Sequence, residues 1–302
     1  MAEPRRLILV DGSSSLYRAF FALPPLSNSR GTPTHAVLGF TTMLLKLLRE
    51  EEPDAVAVAL DGPGPTRRHQ EFAAYKAQRP EMPDAMVQQI PYVHRVLEAM
   101  HIPILMLAGE EADDILGTVA VQSAAEGYTV ILITGDKDLF QVVGERVSVR
   151  DTMKERIWGP AEVRERYGIP PERIPDFLAL MGDSIDNIPG VPGVGEKTAR
   201  DLLQRFGTLE EVLDRASEVP RPKLRDALRT HAGQARLSKR LASLRTDLAV
   251  PWATGDLARK APDIPALLAL CRELEFSRLA QQLGQGQFKI SNGQPTTVIC
   301  DL

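Results

Sequence analysis

Three short apolar runs in the first half of the chain each lead into an aspartate, and longer helical patterns separate them. Residues 7–10 and 55–60 are followed directly by Asp11 and Asp61, and residues 130–133 by Asp136 after the turn made by Thr134 and Gly135. A fourth run covers 104–107. Residues 36–51, 86–100 and 112–125 repeat apolar side chains at three- and four-residue spacing, as crossover helices do. This alternation predicts a parallel sheet flanked by helices, an α/β fold. Such sheets bind ligands beyond the carboxyl ends of their strands, where the three aspartates fall.

After about Trp158 the strand signal stops. Residues 160–167, 171–181, 196–206, 209–216 and much of 223–244 read as short helices. The chain is therefore expected to divide into an α/β core over 1–158 and a helical subdomain over 159–283. Residues 284–302 lose helical periodicity and read as a tail or linker.

More acids crowd the same rim. Glu111, Asp113 and Asp114 follow the fourth run at a helix start, Asp138 lies two residues beyond Asp136, and Asp183 and Asp186 are three apart. Taken singly, each suits a helix cap or a turn. Taken together, nine carboxylates at one rim repel strongly unless divalent cations neutralise them. No histidine or cysteine accompanies them, so the expected ions are oxygen-preferring Mg²⁺, with Mn²⁺ as a substitute, rather than zinc. Two such ions can clamp a phosphodiester, one activating water and one stabilising the leaving oxygen, which points to phosphoryl hydrolysis.

A formal charge of −4 is unusual for a partner of nucleic acid, but the constellation accounts for nine of the 40 carboxylates. The remaining 31 acids face 36 bases. Residues 221–245 carry eight cations against Asp226 alone, either a solvated helix face or a contact surface. No apolar run reaches membrane-spanning length. Cys271 and Cys300 lack zinc or redox spacing, so both are expected to be reduced thiols of a cytosolic protein.

Two loops complete the reading. Residues 187–199 contain Gly190, Gly193 and Gly195 and join two helices, so backbone N–H groups can approach a phosphate facing the next helix N-terminus. This is a helix-hairpin-helix turn. A P-loop is the weaker reading, because Glu196 stands where its lysine belongs and no strand precedes it; a glycine-rich turn that merely connects helices is the other alternative. Residues 64–85 form a polar, basic crossover that starts just after Asp61 and is well placed to cover the site.

The blocks Leu7-Ile-Leu-Val-Asp-Gly-Ser-Ser, Gly109-Glu-Glu-Ala-Asp-Asp, Thr134-Gly-Asp-Lys-Asp-Leu and Met181-Gly-Asp-Ser-Ile-Asp-Asn-Ile-Pro-Gly-Val-Pro-Gly-Val-Gly-Glu-Lys-Thr-Ala resemble the signatures of the 5′-nuclease domain of bacterial DNA polymerase I, a relative of the flap endonucleases. The resemblance runs from about residue 6 to 283 and implies a PIN-like core with a helix-three-turn-helix subdomain. It implies a first metal site of Asp11, Asp61, Glu111 and Asp113. A second would comprise Asp136, Asp138, Asp183 and Asp186 bridged by Asp113, with Asp114 nearby. It makes 64–85 an arch over the single-stranded 5′ end, with Lys76 and Arg79 donating to the scissile phosphate and Arg68 a basic arch position on the DNA. Tyr17 matches an aromatic position that stacks on a base, though alone it reads as a core tyrosine. The turn, with Lys197, Thr198 and Arg200 at the phosphates, would grip duplex DNA and often carries K⁺ in that family. The substrate implied is nicked or branched DNA with a 5′ end or flap, cut in replication and repair by a monomer at the bacterial nucleoid. The chain would be free-standing or joined to a polymerase domain. Arg67 and Leu60 stand where such members usually carry aromatic residues, departures that touch substrate preference rather than the acids.

Overall fold

The computed structural model describes residues 4–285. Cys300 and all but the first two residues of the expected tail lie outside the described residues. Along the chain come β1 (Arg6–Asp11), α1 (Gly12–Ala22), α2 (His35–Glu51), β2 (Ala55–Ala59), α3 (Arg67–Glu71), α4 (Asp84–Val87), α5 (Ile90–Ala99), β3 (Ile104–Leu105), α6 (Ala112–Ala125) and β4 (Thr129–Ile133). Then follow β5 (Val147–Asp151), β6 (Arg156–Trp158), α7 (Pro160–Tyr167), α8 (Ile174–Met181), α9 (Glu196–Phe206) and α10 (Leu209–Asp214). The last helices are α11 (Pro222–Thr230), α12 (Ala232–Ala242), α13 (Ile264–Glu273) and α14 (Ser277–Gly284).

The strands form one sheet in the order β3-β2-β1-β4-β5-β6. All neighbours are parallel except β6, which returns antiparallel to β5. Strand alternation splits the core in two. Leu7 and Leu9 of β1 face one layer with Ala57, Leu132 and α6, whereas Ile8 and Val10 face the other with Val58, α2 and α5. A sheet covered on both faces needs uninterrupted apolar strands, and this is why 7–10 and 55–60 read as continuous runs.

Three expectations need correction. The sheet has two more strands than the four read from sequence: β5 and β6 are short and carry Arg150, Asp151 and Arg156. The helix expected over 86–100 is broken into α4 and α5. Pro91 has no N–H to donate and its ring clashes with the preceding turn, and in the gap the buried Gln89 accepts from Ala36 N and Val37 N at the start of α2. The helical subdomain does not extend to 283. Leu267, Leu270, Leu279 and Leu283 of α13 and α14 pack on the α2 and α5 side of the sheet.

Candidate active site

The strand register sets the acids side by side. Asp11 ends β1 opposite Ala59, Asp61 lies two residues past β2, and Ile133 pairs with Val10 so that Asp136 follows on the same rim. Asp11 caps α1 through Ser14 N at 2.9 Å and accepts from Thr134 Oγ1 at 2.8 Å. Asp61 accepts from Ala112 N at 3.0 Å, at the start of the helix that carries Asp113. Asp136 caps the 3-10 turn that carries Asp138.

The acids fall into two electrostatic groups. Glu111, Asp183 and Asp186 have cation partners. Lys76 Nζ is 2.8 Å from Glu111 and 3.7 Å from Asp186, Arg79 Nη2 is 2.5 Å from Asp186, and Lys137 Nζ is 2.9 Å from Asp183. Although burial works the other way, Lys76 and Arg68 hold the Glu111 carboxyl below its ordinary range. Asp11, Asp61, Asp113, Asp136 and Asp138 have no ion pair among the described residues. Burial, reinforced by neighbouring carboxylates, pushes Asp11 up to about 6 and raises Asp113 and Asp138 well above the usual range. Burial raises Asp136 as well.

The acids lie close enough to act on one another. Asp113 feels Asp136, Asp11 and Asp138, and Asp138 feels Asp136, Asp186 and Asp183. Among the described residues, no trio of acids is arranged as it stands to hold one metal ion. Three of the acids are turned to lysine or arginine instead. A divalent cation nevertheless fits the donor set: the buried Asp138 Oδ1 has no hydrogen-bond partner, four buried or half-buried carboxylates have no ion pair among the described residues, and every donor is a hard oxygen.

One expected site residue lies elsewhere. Arg68, expected at the DNA, is 4% exposed. Its guanidinium donates to both oxygens of Asp114 at 2.5 and 2.8 Å and to the carbonyls of Leu241 and Ser243. Burial opposes its charge, but the hydrogen bond and charge of Asp114 raise its pKa. Asp114 stands behind the acid cluster, joined to Glu111 through Arg68, and Arg245 N donates a further bond to it at 2.8 Å. The pair fastens α3 to α6 and to the end of α12.

The rest of the arch docks on the loop that carries Asp183 and Asp186. Lys76 N donates to Asp186 O at 3.1 Å, Asn187 Nδ2 to Ala74 O at 2.6 Å, and Gln78 Nε2 to Ser184 O. Lys76 itself sits in the left-handed region, φ +55, a conformation that costs a non-glycine residue about 1–2 kcal/mol. Tyr17 is half-buried, its ring 6.3 Å from that of the exposed Phe21.

The hairpin loop joins α8 to α9. Gly190 is tight: at φ +62, a Cβ there would lie 2.4 Å from Gly182 N. Gly193, at φ +80, is open, with nothing within 4 Å of a Cβ. Gly195 precedes α9 as its N-cap. Lys197 is exposed and Thr198 half-buried. Arg200 is held by Glu196 at 2.8 Å, as is Arg166 at 2.6 Å.

Residues 6–168 match the 5′-3′ exonuclease N-terminal resolvase-like domain, and residues 169–265 match the 5′-3′ exonuclease C-terminal SAM fold. The chain belongs to the 5′-3′ exonuclease family. One family relative, a 5′-3′ exonuclease of Aquifex aeolicus, is 40% identical over 92% of this chain and 95% of its own length. DNA polymerase I of Bacillus caldotenax is 45% identical over 92% of this chain. The chain spans about a third of the length of such polymerase relatives, 32% in that case. In fold it resembles the bacteriophage T5 flap endonuclease crystallised as a pseudo-enzyme-product complex with DNA and metal ions. That structure is 21% identical, with a TM-score of 0.67, over 93% of this chain and all of that one. Among the described residues no helix is long and apolar enough to cross a membrane.

Sequence reasoning passed over three side chains at this family's acid cluster. Lys137 lies inside the block that supplies Asp136 and Asp138, and its signal was being the one cation between them. Tyr75 Oη is 3.1 Å from both Glu111 and Asp186, and burial raises its pKa. Thr134 bonds Asp11 from the turn that precedes Asp136.

Proposed function

We propose that this chain hydrolyses phosphodiester bonds at 5′ ends and 5′ flaps of DNA with two Mg²⁺, Mn²⁺ serving as a substitute. The observation that carries the reading is the set of four buried or half-buried carboxylates with no ion pair among the described residues, with Asp138 Oδ1 orphaned among them. Asp11, Asp61, Glu111 and Asp113 would hold one ion. Asp136, Asp138, Asp183 and Asp186 would hold the other, with Asp113 between the two. When bound, the ions neutralise the acids and supply the Lewis-acid chemistry of in-line displacement.

The chain's own groups orient the substrate. Lys76 and Arg79 reach the acid rim from the arch and would donate to the non-bridging oxygens of the scissile phosphate, where charge develops. The open backbone at Gly193 and Gly195, with Lys197 and Thr198, would take a duplex phosphate at the N-terminus of α9, with K⁺ at the turn. Arg221, Lys223, Arg225 and Arg229 of α11 and its cap have no ion pair among the described residues and would extend that surface. We further propose a monomer acting at the nucleoid in replication and repair, alone or joined to a polymerase domain.

The test is incubation with labelled 5′-flap DNA, 5′-flap RNA and blunt duplex, in Mg²⁺ or EDTA. The expected result is Mg²⁺-dependent release of the DNA flap. Equal cleavage of the RNA flap would reassign the substrate, and binding without cleavage in Mg²⁺ would overturn the catalytic reading.

A further inference from the structure

Behind the arch base lies a second basic feature, with no carboxylate of the acid cluster in it. A groove of about 670 Å³ runs between the end of α12 and α3, lined by Arg67, Arg236, Lys239, Arg240 and Arg245 with the acids Glu210 and Asp247. Its wall is shared with the active site. Arg68, next in sequence to Arg67, stands 3.4 Å from Glu111 on one side and donates to Leu241 O and Ser243 O on the other. One short helix therefore separates the acids from the groove.

We propose that this groove takes the phosphates of the single-stranded 5′ segment after it has passed the acids, an inference that rests on the flap-cleavage reading above. A strand that passes the acids beneath residues 64–85 would reach this groove across α3, whose Arg68 meets Glu111 on one side and the end of α12 on the other. Arg240 Nε and Glu71 bridge α12 and α3 across the groove at 3.7 Å. Its lining has no aromatic side chain, so contact is with the backbone and tolerant of sequence rather than by base stacking. Arg236 and Arg240 pair with Glu210 and Glu71 while remaining 45% and 56% exposed. Exposed pairs of this kind are weak and exchange readily for phosphate.

The experiment compares the full chain with its Arg236→Gln/Arg240→Gln double variant on 5′ flaps of about one, six and twelve nucleotides. Binding is read in Ca²⁺ and cleavage in Mg²⁺. The variant is expected to bind the longest flap about tenfold more weakly and the shortest within about twofold, with the salt slope for the long flap reduced by about 1.4, or 0.7 for each lost single-strand contact. A loss equal at all lengths would make the groove a duplex contact, and no loss at any length would leave it without a strand; either overturns the proposal. An independent reading uses the unaltered protein and a flap carrying photoreactive 5-iododeoxyuridine. Crosslinks are expected in 236–247 only from positions well 5′ of the junction, and crosslinks that avoid that segment argue against the groove. If the unaltered protein cleaves no flap, the function reading itself has failed, which is distinguishable from either result.

Discussion

Lys76 and Asp186 are joined twice: the Lys76 backbone N–H donates to the Asp186 carbonyl at 3.1 Å, and its Nζ stands 3.7 Å from the Asp186 carboxylate. The arch and the acid loop are thereby held as one unit, with Lys76 in a left-handed backbone conformation. Strain of this kind persists where surrounding contacts impose it. Here it aims an ammonium at the rim.

Lys76→Ala is therefore expected to lower the single-turnover cleavage rate at saturating enzyme by roughly a hundred- to a thousandfold, the usual effect of losing one preorganised donor. Flap affinity in Ca²⁺ should change by less than about fivefold, whereas loss of an ordinary phosphate contact would chiefly alter affinity and its salt slope. Rapid-quench cleavage set against equilibrium binding at one ionic strength separates the two. A tenfold weaker Kd with an unchanged saturating rate would make Lys76 a tether.

Arg68→Ala should destabilise the fold by about 3–5 kcal/mol, since it strands Asp114 as an uncompensated buried charge. The double change Arg68→Met/Asp114→Leu should recover most of that loss. Urea unfolding of the three proteins measures this. A single variant with normal stability but weakened DNA binding would return Arg68 to the DNA surface.

The rim of the fold is legible in the sequence. The acids Asp11, Asp61 and Asp136 were legible because a parallel sheet buried on both faces writes its strands as apolar runs that stop at the rim. The break at Gln89 was hidden because the apolar spacing continues through Pro91. Arg68 misled because a basic residue in a polar crossover resembles a surface cation, and only tertiary packing reveals Asp114 and two carbonyls around it. The separate fates of α11 and α12 were equally invisible. Charge counting gives one basic run, whereas Arg236, Lys239, Arg240 and Arg245 meet acids from distant elements.

The unpartnered acids make the metal-free protein sensitive to pH in a definite direction. A carboxyl whose folded pKa lies above its unfolded value contributes stability that is full below the unfolded value and lost as pH rises through the folded one. For Asp11, at about 6 against 3.8, that loss falls between about pH 4 and 7 and amounts to roughly 3 kcal/mol. In EDTA the melting temperature should therefore rise between pH 7 and pH 5, and Mg²⁺ should flatten the dependence by favouring the ionised acids. Calorimetry showing the same profile with and without Mg²⁺ would count against a metal at Asp11.

Asp138→Asn removes a buried charge while keeping its shape. Cleavage in Mg²⁺ should fall by at least about a thousandfold, flap binding in Ca²⁺ should stay within a few-fold, and stability in EDTA at pH 7 should increase, because burying an unpaired carboxylate is costly. Cleavage within tenfold of the unaltered protein would remove Asp138 from the site.

The two hairpin glycines should respond in opposite ways. A Cβ at Gly190 meets Gly182 N at 2.4 Å in a backbone conformation that already disfavours side chains, so Gly190→Ala is expected to damage folding and lower the melting temperature and soluble yield. At Gly193 the same Cβ meets nothing within 4 Å, and aspartate tolerates the left-handed region better than most residues. Gly193→Asp should therefore fold at a cost of about 1–2 kcal/mol, while placing a carboxylate where the turn is proposed to meet a phosphate. Its duplex Kd in Ca²⁺ should rise by about tenfold or more, and cleavage at saturating enzyme should recover to within a few-fold. Fluorescence anisotropy and single-turnover assays on the same preparation decide between binding and chemistry. If the saturating rate of Gly193→Asp fell as far as that of Asp138→Asn, the hairpin would act on the acid cluster through Asp183 and Asp186, and the division between a gripping loop and a cutting rim would be wrong.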